Sequence, residues 1–317
     1  MEGIGIYIIS SGRPNNVQKM QTQHLPDLDV TWVVSKSQID AYKSEGANKV
    51  LTYGKCAPGK DLCRSRNFAL QHAFDQNLVC VQLSDDLNKM SWWVRDAPDS
   101  LERRPLSIAT AIQFILKQMK LANFFLGGGM PTNNTYWART SSKLGDRTGK
   151  PYTTHHFILG DLMVIRPTRL RFNENLSLKE DYEYTVQHIK ENGGVVRCFQ
   201  ILAQWKHYTN EGGAVAYRTD EEEKRNIRLL KELHPGWFAG HKTGSKVQVT
   251  LRAPAKYRLG SQGVKKAESK GSTSGSNESN ASVVERLVAC SVLLENSGLR
   301  RSKRKLSSYA EDSGVGV

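Results

Sequence analysis

The apolar residues of this chain fall in short, nearly continuous runs separated by polar turns. The first, Ile4-Gly5-Ile6-Tyr7-Ile8-Ile9, lies within Gly3 to Ser11 and stops at the polar turn Ser10-Ser11-Gly12-Arg13-Pro14. Val30-Thr31-Trp32-Val33-Val34 and Leu78-Val79-Cys80-Val81-Gln82-Leu83 repeat the pattern, and Lys49 to Tyr53 is a shorter instance. Strands buried on both faces read this way, because neither face alternates with polar residues. Between them, Ser37 to Ser44 predicts a short helix. Leu62 to Gln76 predicts a longer one, with Phe68, Ala69, Ala73 and Phe74 on one face. This β-α-β-α-β alternation predicts an α/β fold, an open, mostly parallel sheet with flanking helices on both faces. Ligands of such sheets bind outside the carboxyl ends of the strands, where the turns after Ile9 and Leu83 fall.

Further along, Pro105 to Lys120 predicts an amphipathic helix and Phe157 to Ile165 a strand. Leu178 to Asn192 predicts a helix, Cys198 to Ala203 a strand, and Arg218 to Leu233 a charged helix. Gly127-Gly128-Gly129 to Tyr152 reads as loop-rich, with the glycines as a flexible acceptor-side loop or a plain interdomain turn. From Leu259 the composition shifts to Gly, Ser, Lys and Asn, which cannot bury enough apolar surface to order itself. The expected organisation is a folded domain over 1–258 and a basic tail over 259–317, with one candidate helix at 282–296 and a basic run at Arg300-Arg301-Ser302-Lys303-Arg304-Lys305.

Charge changes the picture more than composition does. The formal net charge is +14, and the tail, with nine Lys/Arg and six Asp/Glu, supplies only +3 of it. The excess on the folded part favours an acidic partner such as a nucleotide diphosphate or a nucleic acid. No apolar run reaches the length of about 18 residues that a membrane span needs. Met1-Glu2-Gly3-Ile4 has an acid where a signal peptide carries basic residues, so an intracellular protein, cytoplasmic or nuclear, is expected. The five cysteines (Cys56, Cys63, Cys80, Cys198, Cys290) are odd in number and scattered, and read as ordinary thiols of a reducing compartment.

Three segments carry candidate chemistry. Ser84-Asp85-Asp86 follows a buried strand, with no basic residue until Lys89. Two adjacent carboxylates repel each other unless a cation joins them, and Mg²⁺ or Mn²⁺ takes carboxylate and diphosphate oxygens together. The alternative is a turn in which one Asp caps a following helix. Lys179-Glu180-Asp181-Tyr182-Glu183 opens a helix, where acids are favoured by the helix dipole whatever their chemistry. Trp205-Lys206-His207 follows a late strand. The order of the three is more telling than any one of them.

In that order the chain resembles GT-A glycosyltransferases, and more narrowly the glycosyltransferase family associated with TET/JBP dioxygenases, which includes the base J glucosyltransferase. The resemblance rests on Ser10-Ser11-Gly12-Arg13-Pro14, Arg64-Ser65-Arg66-Asn67, Ser84-Asp85-Asp86, Lys179-Glu180-Asp181-Tyr182-Glu183 and His207, and spans roughly residues 3 to 215. It implies a metal-dependent, inverting transfer of a sugar from a nucleotide-sugar, a UDP-sugar in the first instance, to a hydroxyl. Ser11, Arg13, Pro14, Arg64, Asn67 and Asp85 would contact the donor. Asp86, Asp85 and His207 would hold Mn²⁺ or Mg²⁺. Asp181, with Glu180 beside it, would act as the general base. The implied acceptor is a hydroxymethylated DNA base, with a protein Ser/Thr hydroxyl as the alternative. The motif here is Ser-Asp-Asp and not Asp-x-Asp, which leaves open which carboxylate touches the metal.

Gly3-Ile4-Gly5 precedes its strand, so it is no dinucleotide fingerprint, and no Walker A sequence occurs. A nucleotidyltransferase would use strand-borne acids without the late Glu-Asp helix start. A non-enzymatic nucleic-acid-binding module would account for the charge and the six tryptophans, and predicts no metal dependence. Cys63 beside Arg64 and Arg66 is either a reactive thiol or, more simply, a helix-packing residue. His155-His156 reads as an acceptor contact or an exposed loop.

Overall fold

The computed structural model describes residues 3–54, 57, 59–94, 102–139, 149–206, 212–213, 218–243 and 246–258, the side chains of 241–247 excepted. The chain divides into two compact units, Met1–Lys265 and Lys266–Val317, and the fold below belongs to the first. The tail, with its candidate helix at 282–296 and its basic run, lies outside the described residues, as does His207.

The first unit is an α/β fold built on one large sheet flanked by helices. Its strands are β1 (Ile4–Ile9), β2 (Val30–Ser35), β3 (Val50–Tyr53), β4 (Val79–Ser84), β5 (Leu87–Trp93), β6 (Arg103–Pro105), β7 (Leu126–Met130), β8 (Tyr152–Thr153), β9 (Leu162–Ile165) and β10 (Val196–Trp205). Their order is β3-β2-β1-β4-β9-β7-β10-β5-β6, with β8 paired to β10. β11 (Phe238–Thr243) and β12 (Lys246–Leu251) form a separate antiparallel hairpin. The first four strands are parallel, as their βαβ connections require. The sheet then becomes mixed: β9 runs antiparallel to both β4 and β7, and β10 is parallel to β7 but antiparallel to β5.

The helices are α1 (Asn16–Lys19), α2 (Ile39–Ser44), α3 (Asp61–Asp75), α4 (Ile108–Ala122), α5 (Glu180–Asn192), α6 (Asp220–Leu233) and α7 (Ala255–Arg258). Ser107 starts α4 by accepting the Thr110 N–H at 3.2 Å, and Asn123 ends it in the left-handed region. Pro105, expected to open that helix, instead ends the edge strand β6, a position where proline's missing N–H costs no ladder bond, and the helix begins at Ile108. On α3 the buried positions are Cys63, Ser65, Arg66, Ala69, Leu70 and Ala73, whereas Phe68 is 38% exposed. The packed face is therefore rotated from the one the apolar residues suggested. The core joins Tyr7, Ile9, Leu70, Met163, Ile165, Tyr184 and Ile189 across the sheet.

Gly127-Gly128-Gly129 is neither a loop nor an interdomain turn. It is the centre of β7, fully buried between β9 and β10. Glycine is needed because neighbours occupy the space a side chain would take. A Cβ on Gly127 would lie 2.6 Å from Ile115 Cγ2 and Met119 Sδ; one on Gly128 would lie 2.6 Å from Ile158 Cγ2 and 2.8 Å from the Leu162 carbonyl. The two glycines admit packing from opposite faces of the sheet, as strand alternation dictates.

Candidate active site

A cavity of about 580 Å³ opens beyond the carboxyl ends of β1 and β4. Ser10, Ser11 and Arg13 after β1 and Asp86 after β4 line one side. The start of α5 from Lys179 to Tyr182, the 159–161 loop, and Ser65 and Arg66 of α3 line others, and the start of α6 and β12 complete it.

The acid turn is set by strand pairing. Ile9 is opposite Ser84, so the residues that follow each strand meet. The Ser10 hydroxyl donates to Asp85 and also hydrogen-bonds the Tyr42 phenol, which accepts the Arg13 N–H at 3.1 Å. Arg13 spans both acids, with Nη2 2.9 Å from Asp85 Oδ1 and Nη1 3.4 Å from Asp86 Oδ2. Ser84 Oγ donates to Asp86 Oδ1 at 2.8 Å. The two carboxylates are not equivalent: Asp86 faces the cavity, while Asp85 is 1% exposed behind it. Burial, added to by the charge of Asp86, pushes Asp85 up to about 7 despite the opposing pull of Arg13 and Ser10. The contact of Asp85 Oδ1 with Arg13 is close but lacks a hydrogen bond's alignment. No helix follows to be capped, since Leu87 already begins β5.

The second pair opens α5. Lys179, its N-cap, takes the left-handed conformation (φ 65°) and turns the chain so that Glu180 and Asp181 are both buried at the cavity wall. Asp181 is oriented by two backbone N–H donors, Gly160 at 3.2 Å and Tyr182 at 2.9 Å. Glu180 accepts Arg66 Nε at 3.1 Å. Burial, and next the charge of Asp181, push Glu180 up from its ordinary value against the pull of Arg66. Glu183 turns away from the site and pairs with His234 at 3.0 Å.

Arg66 joins these parts. Besides Glu180 it donates to Gln82 Oε1 at 3.1 Å and to the Gly160 carbonyl at 3.0 Å, and its guanidinium lies over the Phe172 ring at 5.5 Å. A Cβ on Gly160 would sit 2.4 Å from Arg66 Nη2, so this glycine lets the guanidinium pass. At the far wall, Glu223 lies between Lys179 at 3.1 Å and Arg218 at 3.5 Å.

Of the residues singled out in the sequence, Ser11, Arg13, Asp86, Glu180 and Asp181 meet at this one cavity, with Asp85 directly behind Asp86. Arg64, Asn67 and Pro14 are not among the described residues lining it. Arg64 projects to solvent, one helical step from the buried face. The Asn67 side chain is committed to the 172–174 loop, donating to the Phe172 carbonyl at 2.9 Å and accepting its N–H at 2.8 Å. Pro14 starts the turn into α1, its carbonyl accepting the Val17 N–H. Sequence reasoning quoted Arg66 but gave it no role. The available signal was its position in register with Cys63, Leu70 and Ala73, an arginine on a buried stripe. Cys63 is a packing residue: its thiol donates to the Leu176 carbonyl at 3.1 Å, and burial pushes it well above the ordinary thiol value. His155 and His156 are half-buried and not exposed.

His207 lies outside the described residues; Lys206 before it lines the cavity and donates its N–H to the Asp86 carbonyl at 3.1 Å. Among the described residues no group of three His, Cys, Asp or Glu side chains gathers closely enough to hold a metal ion. No helix among them is long and apolar enough to cross a membrane. Comparison with family models, with curated proteins and with solved structures gives no match to this chain.

Proposed function

We propose that this chain is a GT-A-type glycosyltransferase that moves a sugar from a nucleotide diphosphate to a hydroxyl acceptor. The observation that carries this reading is the convergence of Asp86 and Asp181, from segments nearly a hundred residues apart, on one cavity at the carboxyl ends of parallel strands. Cationic side chains (Arg13, Lys179, Lys206, Arg218) line the same cavity, as a diphosphate requires. Ser10, Ser11 and Arg13, at the end of β1, form the donor side.

A divalent cation suits the acid turn in one respect: a buried Asp85 oxygen lacks an aligned hydrogen-bond donor, and Asp86 offers oxygens to the cavity. Asp86 and Asp85, together with His207 as the resemblance implies, would hold Mn²⁺ or Mg²⁺, whose charge when bound offsets that of the leaving diphosphate. Asp181, its carboxylate fixed by two N–H donors, takes the proton of the acceptor hydroxyl as that oxygen bonds to the anomeric carbon and the diphosphate leaves. One base on the acceptor side gives inversion. Glu180 anchors Arg66, which also holds the carbonyl of Gly160, the residue whose N–H fixes Asp181. A hydroxymethylated DNA base fits the positive surface, and would present its hydroxymethyl group to Asp181 after leaving the stack.

The test is calorimetry of UDP-sugars with Mn²⁺, with and without chelator, on the wild type and on Asp86→Ala. Metal-dependent binding lost in the variant is expected. Salt-sensitive DNA binding without any nucleotide-sugar binding would instead establish a nucleic-acid-binding module and sink the enzymatic reading.

A further inference from the structure

Arg197 occupies a position that the chemistry above does not use. It lies in β10, 7% exposed, in register with Thr153 of β8 and with Gly128 of β7. Paired residues of neighbouring strands project to the same face, so the Arg197 and Thr153 side chains share one surface of the sheet. Both carry a buried polar atom without a hydrogen-bond partner: the Nε of Arg197 and the Oγ1 of Thr153. No carboxylate among the described residues pairs with this guanidinium, and its electrostatic neighbour is the Tyr182 phenol.

Arg66 makes the contrast plain. It is as deeply buried, at 5% exposure, yet a carboxylate, an amide and a carbonyl all accept from it. A buried guanidinium is ordinarily retained only when an acceptor compensates its desolvation. At Arg197 the buried Nε has no acceptor among the described residues, and burial depresses the basicity of the group, to about 10. The position is not remote. Tyr182 stacks on Phe157 with ring centroids 4.2 Å apart, and both rings line the cavity. Three residues separate Thr153 from Phe157 along the chain, and the Tyr182 phenol is the electrostatic neighbour of Arg197, so the Arg197–Thr153 pair adjoins that aromatic wall. A guanidinium fork next to a hydroxyl donor matches the oxygens of a tetrahedral anion.

We infer that Arg197 and Thr153 form an oxyanion site, beside the Phe157–Tyr182 wall, for a phosphate group that is either free or carried by a larger ligand. The site stands apart from Arg13 and the acid turn, and the inference holds whether or not the chain transfers sugars.

The experiment measures the thermal midpoint and calorimetric affinity of the full chain with inorganic phosphate and, in a second arm, with phenyl phosphate. Chloride at matched ionic strength is the control. The variants are Arg197→Met, which keeps the length of the side chain without its charge, and Thr153→Val, which removes only the hydroxyl. In the wild type, phosphate should raise the midpoint in a saturable way. Arg197→Met should fold in chloride with an equal or higher midpoint, and weaken phosphate binding about tenfold or more; Thr153→Val should weaken it by a smaller factor. A response to inorganic phosphate identifies a free ion as sufficient, and a response to phenyl phosphate alone identifies a group on a larger ligand. Should Arg197→Met fail to fold, the wild-type Arg197 Nε–H resonance, assigned through its loss in Arg197→Lys, must still shift on titration with either probe. No saturable response to either probe, or one that persists undiminished in Arg197→Met, overturns the inference.

Discussion

At Ser177 the chain enters one polar cluster and at Glu180 another, and the two treat their carboxylates in opposite ways. In the first, Glu222 accepts from the Ser177 hydroxyl, from Arg225 Nη2 at 2.6 Å and Nε at 2.9 Å, and from Asn226 Nδ2 at 3.0 Å. Asn226 returns its Oδ1 to the N–H groups of Ser177 and Leu178, at 3.0 and 3.2 Å. Arg225 above all holds Glu222 down at about 2. In the second, Asp85 and Glu180 are pushed up, because burial outweighs the arginines beside them. A carboxylate with every lone pair engaged locks two elements together. A buried one with too few donors costs stability unless a ligand completes it, and that is the pattern of a binding site.

The sharpest way to break this comparison is substitution within each cluster. Asp181→Asn and Asp86→Ala should each lower transfer by about a thousandfold or more, as followed by product chromatography, with the thermal midpoint within a few degrees of wild type. Asp181→Asn should keep donor affinity, and a loss of that affinity would refute its role on the acceptor side. Asn226→Ala should do the reverse, costing about 3 kcal/mol in urea unfolding by stranding two buried N–H groups, while transfer by the folded fraction is unchanged.

Protonation sharpens the contrast. The folded value of Asp85 lies above its ordinary 3.8, so the protein loses stability as pH rises from about 4 to 7, and no further above that. Asp85→Asn should therefore stabilise the metal-free protein by about 1–3 kcal/mol at pH 8 and by nothing at pH 4, in paired urea titrations. A destabilised Asn variant at pH 8 would mean that the ion pair with Arg13 outweighs burial. Glu222 has the opposite sign. Its folded value lies below its ordinary 4.5, so its contribution is complete above about pH 4.5 and disappears as pH falls toward 2. Glu222→Gln should cost about 1 kcal/mol at pH 7, after allowance for partial exposure, with the difference closing near pH 2.

Much of the amino-terminal half was legible because strands buried on both faces announce themselves as unbroken apolar runs. β1, β2, β3 and β4 fall where Ile4–Ile9, Val30–Val34, Lys49–Tyr53 and Leu78–Leu83 placed them, and the acid turn follows directly. The glycine strand was illegible because its side-chain volume is supplied by Ile115 and Met119 of the preceding helix and by Ile158, outside the strand itself. β5 was hidden because Asn88 and Lys89 interrupt its apolar pattern, and the β11–β12 hairpin because His241, Lys242 and Gln248 do the same. At the site the acids were legible as pairs, but not which member faces the cavity. That depends on the register of β1 against β4. Arg64 and Arg66 differ by helix phase, two residues on a helix pointing about 160° apart, so only Arg66 of the two lines the cavity.

Arg66 has one more consequence, and it concerns time. Its acceptors lie 16, 94 and 114 residues away, so the set is complete only once the Gly160 loop and α5 have docked beside β4. Contacts of such separation are closed late, after the entropy of the intervening loops has been lost. The active-site half of the molecule is thus expected to be assembled on the native side of the folding barrier. Disturbing Arg66 should speed unfolding while leaving the refolding rate nearly unchanged.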